Sequence, residues 1–225
     1  HMFFLFEAFP SEFNGKILPI GVTPWVMLFR NGQPWIEKAQ QSWDVLLDPK
    51  LKEEIILPNS PRLIISLADQ MGNTDNIQKL RRQVKTYDDI NSINWLLSGK
   101  ARVAVLPLQS CMASLIRDPR LSVVLPQSGS PLNWTVLVKP FSSRMMLPSS
   151  WFQKSWEGPL LTRLLRRGWI PPITYSELSK EKSYLRKDLQ SVIIPSREVW
   201  ENCWSLLPLN SLEKQTLAER WIGST

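Results

Sequence analysis

Three short apolar runs in this chain end in the same kind of corner. They read LPNS at residues 57–60, LPLQS at 106–110 and LPQS at 125–128. In each, a proline stops an extended run, and small polar residues follow before the next element. At the first corner Ser60 is suited to cap a helix and Pro61 to occupy its first position. A helix start leaves several amides without intrahelical partners and carries partial positive charge, so it can hold an acceptor or an anion. Arg62, in the first turn, would add a guanidinium fork. At the second corner Gln109 and Ser110 offer an amide and a hydroxyl beside another helix start. Two such corners on one sheet edge could grip a small polar group. The plainer alternative is that Ser60 and Ser110 only cap helices and Arg62 points into water, since proline and serine are the usual turn residues.

Other chemistries lack their residues. His1 is the only histidine, which leaves no Ser-His-Asp or Cys-His pair and no histidine base or metal ligand. Cys111 and Cys203 are far apart and fit two buried thiols better than a disulfide; neither belongs to a metal motif. The nine glycines are too dispersed for a nucleotide-binding loop. No paired acids are evident at a strand end. An enzyme is therefore not expected, nor a cofactor or a metal.

The formal charge is +7, from 27 basic and 20 acidic residues, so nucleic-acid binding has to be considered. The basic residues are scattered except for Arg163, Arg166 and Arg167, which share one helical face. A solvated face accounts for that stripe. The eleven tryptophans are spread along the chain, not interleaved with basic residues as in a single-strand stacking platform. Nucleic acid is not the expected partner. No run approaches the ~20 apolar residues of a membrane span. The opening HMFFLFEAFP lacks a basic n-region and a small-residue cleavage site, so it is not a complete signal peptide.

The corners need elements to hold them. Residues 16–32 read as one or two strands ending in Asn31-Gly32. A short helix follows Ser42, with Trp43, Leu46 and Leu47 on one face. Residues 54–57 are a buried strand and 61–71 a helix closed by Gly72. A polar helix over 75–86, a helix over 91–97, a strand over 102–106 and a helix over 111–116 come next. Strands over 121–125 and 133–140 complete this part. Short apolar runs alternating with helices predict an α/β fold with a short mixed, mainly parallel sheet flanked by helices. In such sheets ligands bind outside the carboxyl ends of the strands, where these corners fall. From about residue 141 the pattern is helical, with caps predicted at Ser150, Ser196 and Asn210 and little strand signal beyond SVIIP.

Several segments resemble a known family, in family order. SWDVLLDPKLKEEIILPNSPR (42–62) is similar to the Trp-x-x-Leu-x-Asp-Pro segment of periplasmic type II solute-binding proteins of ABC transporters, spermidine/putrescine branch. KILPIGVTPWVMLFRN resembles the crossover from the first lobe to the second. WLLSGKARVAVLPLQS resembles the helix, strand and ligand-lining corner that follow. NWTVLVKP resembles the strand leaving the second lobe, and IIPSREVWENCWSLLPLNSLEKQTLAERW the C-terminal helices.

The resemblance implies a remnant of the first lobe and crossover at 1–19, a type II-like α/β lobe at 20–140, and a helical segment at 141–225 that normally packs on the first lobe. It implies most of the first lobe to be missing. It implies an extracytoplasmic protein, periplasmic or membrane-anchored, that passes a small polar solute to an ABC permease. The ligand contacts implied are Thr23 and Trp25 at the crossover, Asn59, Ser60 and Arg62, Gln109 and Ser110, and Asn133 and Trp134. Polyamine binders carry acids at such corners; here Asn59, Ser60 and Leu63 stand in their place. A buried ammonium without an anionic partner is costly, so a neutral or anionic solute is expected in preference to a polycation. A homodimer is one way to cover an apolar face left by a missing lobe. The alternatives are a regulatory or scaffold relative that has lost ligand binding, and a basic nucleic-acid-binding protein.

Overall fold

The computed structural model describes residues 16–73, 75–140, 142–144, 154, 156–171 and 173–224. The cap expected at Ser150 lies outside the described residues. Residues 17–30 form one long strand, β1 (Ile17–Arg30), not a pair. On one edge β1 pairs antiparallel with β4 (Val103–Pro107). Along its other edge it pairs antiparallel with β5 (Leu121–Val124) and then β6 (Pro131–Val138). β2 (Ile55–Leu57) runs parallel to both β4 and β3 (Val84–Tyr87), and β7 (Trp204–Ser205) runs parallel to β6. The order is β3-β2-β4-β1-β6-β7, with β5 beside β1. Every strand but β1 therefore points the same way. The sheet is the mixed, mainly parallel one that the alternation of strands and helices predicts.

Side chains alternate across the sheet. Met27, Phe29, Ile55, Leu57, Val103 and Val105 enter one core; Val22, Val26, Leu28, Ile56, Ala104 and Leu106 enter the other. The first core is closed by nearby chain. A short helix α1 (Ile36–Ala39) and two 3-10 turns, Trp43–Leu47 and Pro49–Leu51, precede α2 (Pro61–Gln70) and α3 (Asn76–Gln83). Ser42 caps the first turn by accepting the Asp44 amide. Trp43 is 1 % exposed, and its indole N–H donates to the Gly129 carbonyl at 2.9 Å, so its polar edge is satisfied inside the core. In α2, Leu63, Ile64, Leu67 and Ala68 are buried. Burying each of the larger ones contributes roughly 1.5–3 kcal/mol before conformational entropy is subtracted.

The second core is closed by α4 (Ser92–Leu97), α5 (Leu108–Arg117) and distant chain: α6 (Gly158–Leu165), α7 (Tyr175–Lys180) and α8 (Gln190–Ile193). Leu161, Leu165, Ile170, Leu178, Leu185 and Leu189 join the same cluster as Val22 and Leu28. Ile170 also exchanges two backbone bonds with Val22, at 2.7 and 3.0 Å. The helical segment is thus packed directly on the α/β lobe of this chain. SVIIP, the one strand signal there, is largely helical and supplies α8. Ser196 caps α9 (Arg197–Glu201), and Asn210 with Glu213 forms the predicted capping box of α10 (Ser211–Gly223).

No residue of α10 is buried. Leu217 and Trp221 pack half-buried against the first core, and polar and aromatic contacts add to the hold. The Arg81 guanidinium lies 4.0 Å over the Trp221 ring and donates to the Trp221 carbonyl at 2.5 Å and Ser224 Oγ at 2.7 Å. Tyr87 meets Trp221 edge-on at 5.9 Å, and Arg220 pairs with Asp69 at 2.5 Å.

The helix expected over 75–86 stops at Gln83, and Val84–Tyr87 becomes the edge strand β3. Val-Lys-Thr-Tyr has β-forming residues, and β2 offers a free parallel edge, so tertiary pairing prevails over the helical reading. Both cysteines are free thiols. Burial pushes Cys111 up to about 12 and Cys203 up to about 11, so neither is a ready thiolate.

Candidate functional site

The site begins with strand direction. Because β2, β3 and β4 run parallel, their carboxyl ends lie on one edge of the sheet. β1 runs the other way and crosses that edge at Trp25, which sits opposite Pro107 at the end of β4. The corners after β2 and β4 leave neighbouring strands, with β4 running two residues further before it turns. Each opens a helix: Asn59-Ser60 leads into α2, and Pro107 into α5.

Ser60 accepts the Leu63 amide at 3.4 Å, the capping bond its position predicts. Its hydroxyl proton is left to donate elsewhere. Thr23 is fully buried, and its Oγ1 accepts the Gln109 amide at 3.2 Å. That bond satisfies one open amide of α5 and fastens the helix start to β1. Thr23 therefore positions the corner from beneath and does not face solvent. Gln109 and Ser110 lie in the first turn of α5 with exposed side chains, earlier in the helix than its predicted start at 111.

The other expected contacts divide. Asn133 and Trp134 pair with Thr23 and Val22 in β6 and are half-buried. The Trp134 indole N–H donates to Ser205 Oγ at 2.9 Å, which ties β6 to β7. Trp25 is half-buried against the first core, and its carbonyl accepts Ser130 Oγ at 2.5 Å. Arg62 lines a groove between α2 and α10 together with Glu213. Partial burial pushes its pKa down, and the charge of Glu213 opposes that shift.

Two carboxylates stand at this edge, contrary to the expectation that no paired acids occupy a strand end. β3 ends at Tyr87, and Asp88 and Asp89 follow. Asp88 is committed locally. It accepts the amides of Asn91 and Ile90, each at 2.8 Å, and the Trp95 indole N–H at 3.1 Å. Those hydrogen bonds hold its carboxyl below the usual carboxylate range. Asp89 is exposed, and its two oxygens accept the Asn59 amide at 3.2 and 3.3 Å. It brings a carboxylate to the corner where Asn59 and Ser60 present none. The pair escapes notice when 84–87 is read as a helix tail. The signal that finds it is four β-type residues followed directly by Asp-Asp.

Among the described residues no three histidine, cysteine, aspartate or glutamate side chains form a group that could hold a metal. The edge instead offers hydroxyls, amides and one exposed carboxylate, which can bind a polar molecule by hydrogen bonds.

This architecture matches solved solute-binding proteins. The spermidine/putrescine ABC transporter substrate-binding protein PotD from Streptococcus pneumoniae superposes with a TM-score of 0.74 at 14% identity, over 97% of this chain and 73% of that one. The TpPotD lipoprotein of Treponema pallidum matches at 0.65 and 12% identity, over 93% and 68%. A ferric binding protein from Campylobacter jejuni matches at 0.54 and 13% identity, over 93% and 68%. At these identities the likeness is one of fold, and the fold alone accommodates quite different solutes. No curated protein sequence matches the chain. The family model of the bacterial extracellular solute-binding proteins, however, matches residues 5–144, more than half the chain. The chain belongs to the bacterial extracellular solute-binding proteins.

Proposed function

We propose that this protein captures a small polar solute at the carboxyl edge of its sheet and delivers it to an ABC permease. The observation that carries the reading is the convergence of the Asn59-Ser60 and Gln109-Ser110 corners, with Asp89, on one edge of a solute-binding fold. In this reading residues 20–140 form the solute-gripping lobe, Thr23 positions α5, and Trp25, Asn133 and Trp134 line the approach. Capture by a clamp of this kind works through closure of one lobe on another. The protein acts outside the cytoplasm, in the periplasm or anchored at a membrane.

The solute's chemistry follows from the edge. An anion beside Asp89 would meet an exposed carboxylate, while Arg62 lines the neighbouring groove. A neutral solute with several donors and acceptors fits the serines, the Gln109 amide and Asp89 together. A second reading has a specific observation behind it: Asp89 could pair with a single ammonium group.

A thermal-shift panel of neutral sugars and amides, oxyanions, and the polyamines putrescine and spermidine separates these cases. A neutral binder at a hundred times its Kd should add about 2.7 kcal/mol of stability. Stabilisation by spermidine alone, abolished by Asp89→Asn, would establish the ammonium reading. Stabilisation by oxyanions alone would overturn both.

A further inference from the structure

A groove of about 520 Å3 lies between α2 and α10, within the size range of small-molecule pockets. Ile65 of α2, Leu206 of the connecting segment, and Leu212 and Leu217 of α10 give it apolar walls. Leu212 is 73% exposed, so the described residues leave this surface uncovered. The other polar side chains of the groove are satisfied within the molecule. Asp69 pairs with Arg220, Ser66 accepts the Trp204 indole N–H at 2.8 Å, and Thr216 donates to the Leu212 carbonyl at 3.0 Å. Glu213 accepts the Asn210 amide at 2.7 Å in the capping box.

Arg62 is the exception. Its guanidinium makes no hydrogen bond or ion pair among the described residues, although Glu213 acts on it at longer range. A half-buried guanidinium has five donors in a plane that matches a carboxylate. Removing such a group partly from water is unfavourable until an acceptor replaces the lost solvent. The groove therefore combines an apolar trough with a half-buried guanidinium whose N–H donors are not taken up by a hydrogen bond or ion pair among the described residues.

We propose that this groove binds an amphiphilic carboxylate, with its acyl or aryl body against Ile65, Leu212 and Leu217 and its carboxylate on Arg62. The charges lining the groove balance, and Arg62, whose donors no hydrogen bond or ion pair takes up among the described residues, selects this occupant over a neutral or cationic amphiphile. The site is separate from solute capture at the sheet edge, because of the edge residues only Arg62 lines it.

Calorimetric titration of the full chain with octanoate, octan-1-ol and octylammonium tests the proposal. Octanoate should bind one-to-one and at least tenfold more tightly than either of the others. Arg62→Gln should weaken octanoate at least tenfold, while Arg62→Lys retains part of the affinity and guards against a folding defect. Leu212→Asp, at an exposed position, should weaken octanoate by charge repulsion; Arg163→Gln, on α6, should leave it unchanged. No octanoate binding, equal affinity for octanol, or undiminished binding by Arg62→Gln overturns the site. So does a dimer in sedimentation that Leu212→Asp dissolves, which would make the groove a contact between two copies. Undiminished sugar or amide binding in Asp89→Asn, with octanoate binding intact, would strike only the sheet-edge reading.

Discussion

The two faces of the sheet are built from different reaches of chain. Every buried residue in the core containing Phe29 and Trp43 comes from positions 27–124. The core containing Val22 and Leu28 draws on positions 22–194 and needs Leu161, Leu165 and Ile170 to cover it. One face is therefore completed by successive strand and helix units, and the other only when a distant segment returns. The entropy of closing the longer loop grows slowly with length, so the return is affordable once enough apolar surface is buried. The helix α10 goes one step further: it docks onto the first face without burying a single residue.

This contrast is breakable by mutation. The largest effect should come from Trp43→Ala, which empties a fully buried position and orphans the Gly129 carbonyl. A loss of about 3–5 kcal/mol is expected, and Leu165→Ala on the other face should lose about 2–5 kcal/mol. Native-state hydrogen exchange distinguishes them. Trp43→Ala should lower protection throughout, whereas Leu165→Ala should expose amides of 158–194 first and leave β2 and β4 protected. Equal loss everywhere in both variants would show that the two faces are one cooperative unit.

A smaller effect is expected at α10. Arg81→Ala removes the stacked cation and both of its hydrogen bonds to the helix, worth about 1–2 kcal/mol locally. Limited proteolysis between residues 206 and 210 should accelerate while the main thermal transition barely moves. Unchanged cleavage would mean that the Arg220–Asp69 pair and the Tyr87–Trp221 contact suffice.

The smallest effect concerns pH. The Asp88 carboxyl is held below its ordinary value of 3.8 by amide and indole donors. A depressed folded pKa contributes stability above the unfolded value, and that contribution disappears as pH falls through the folded one. Asp88→Asn should therefore reduce stability at neutral pH and flatten its decline below about pH 4, as read from denaturant midpoints across that range. An unaltered slope would assign acid sensitivity to other groups, such as Asp118, which Arg120 holds at about 2.

Legibility followed the same division. The corner after β2 was readable because its signals are local: Ser60 caps, Pro61 opens the helix, and Gly72 follows it at φ 80°. The caps at Ser42 and Ser196 and the capping box at Asn210 were readable for the same reason. β3 was not, because Val84–Tyr87 becomes a strand only through its pairing with β2. Missing β3 hid Asp88 and Asp89, and with them the carboxylates that stand at the corner. Arg62 was correctly seen as a first-turn residue, yet its neighbours in α10 lie some 150 positions away and leave no mark in local sequence.

The sequence by itself determined the alternation of strands and helices, the proline–serine corners and the caps, because each rests on backbone preferences within a few residues. It also carried the family likeness. Only the tertiary structure decided that β1 opposes its neighbours, that Thr23 lies beneath α5, that Asp89 reaches the Asn59 amide, and that Arg62 lines a groove. Those outcomes depend on which distant segments pack and pair, and packing is chosen by the apolar area buried across the whole molecule.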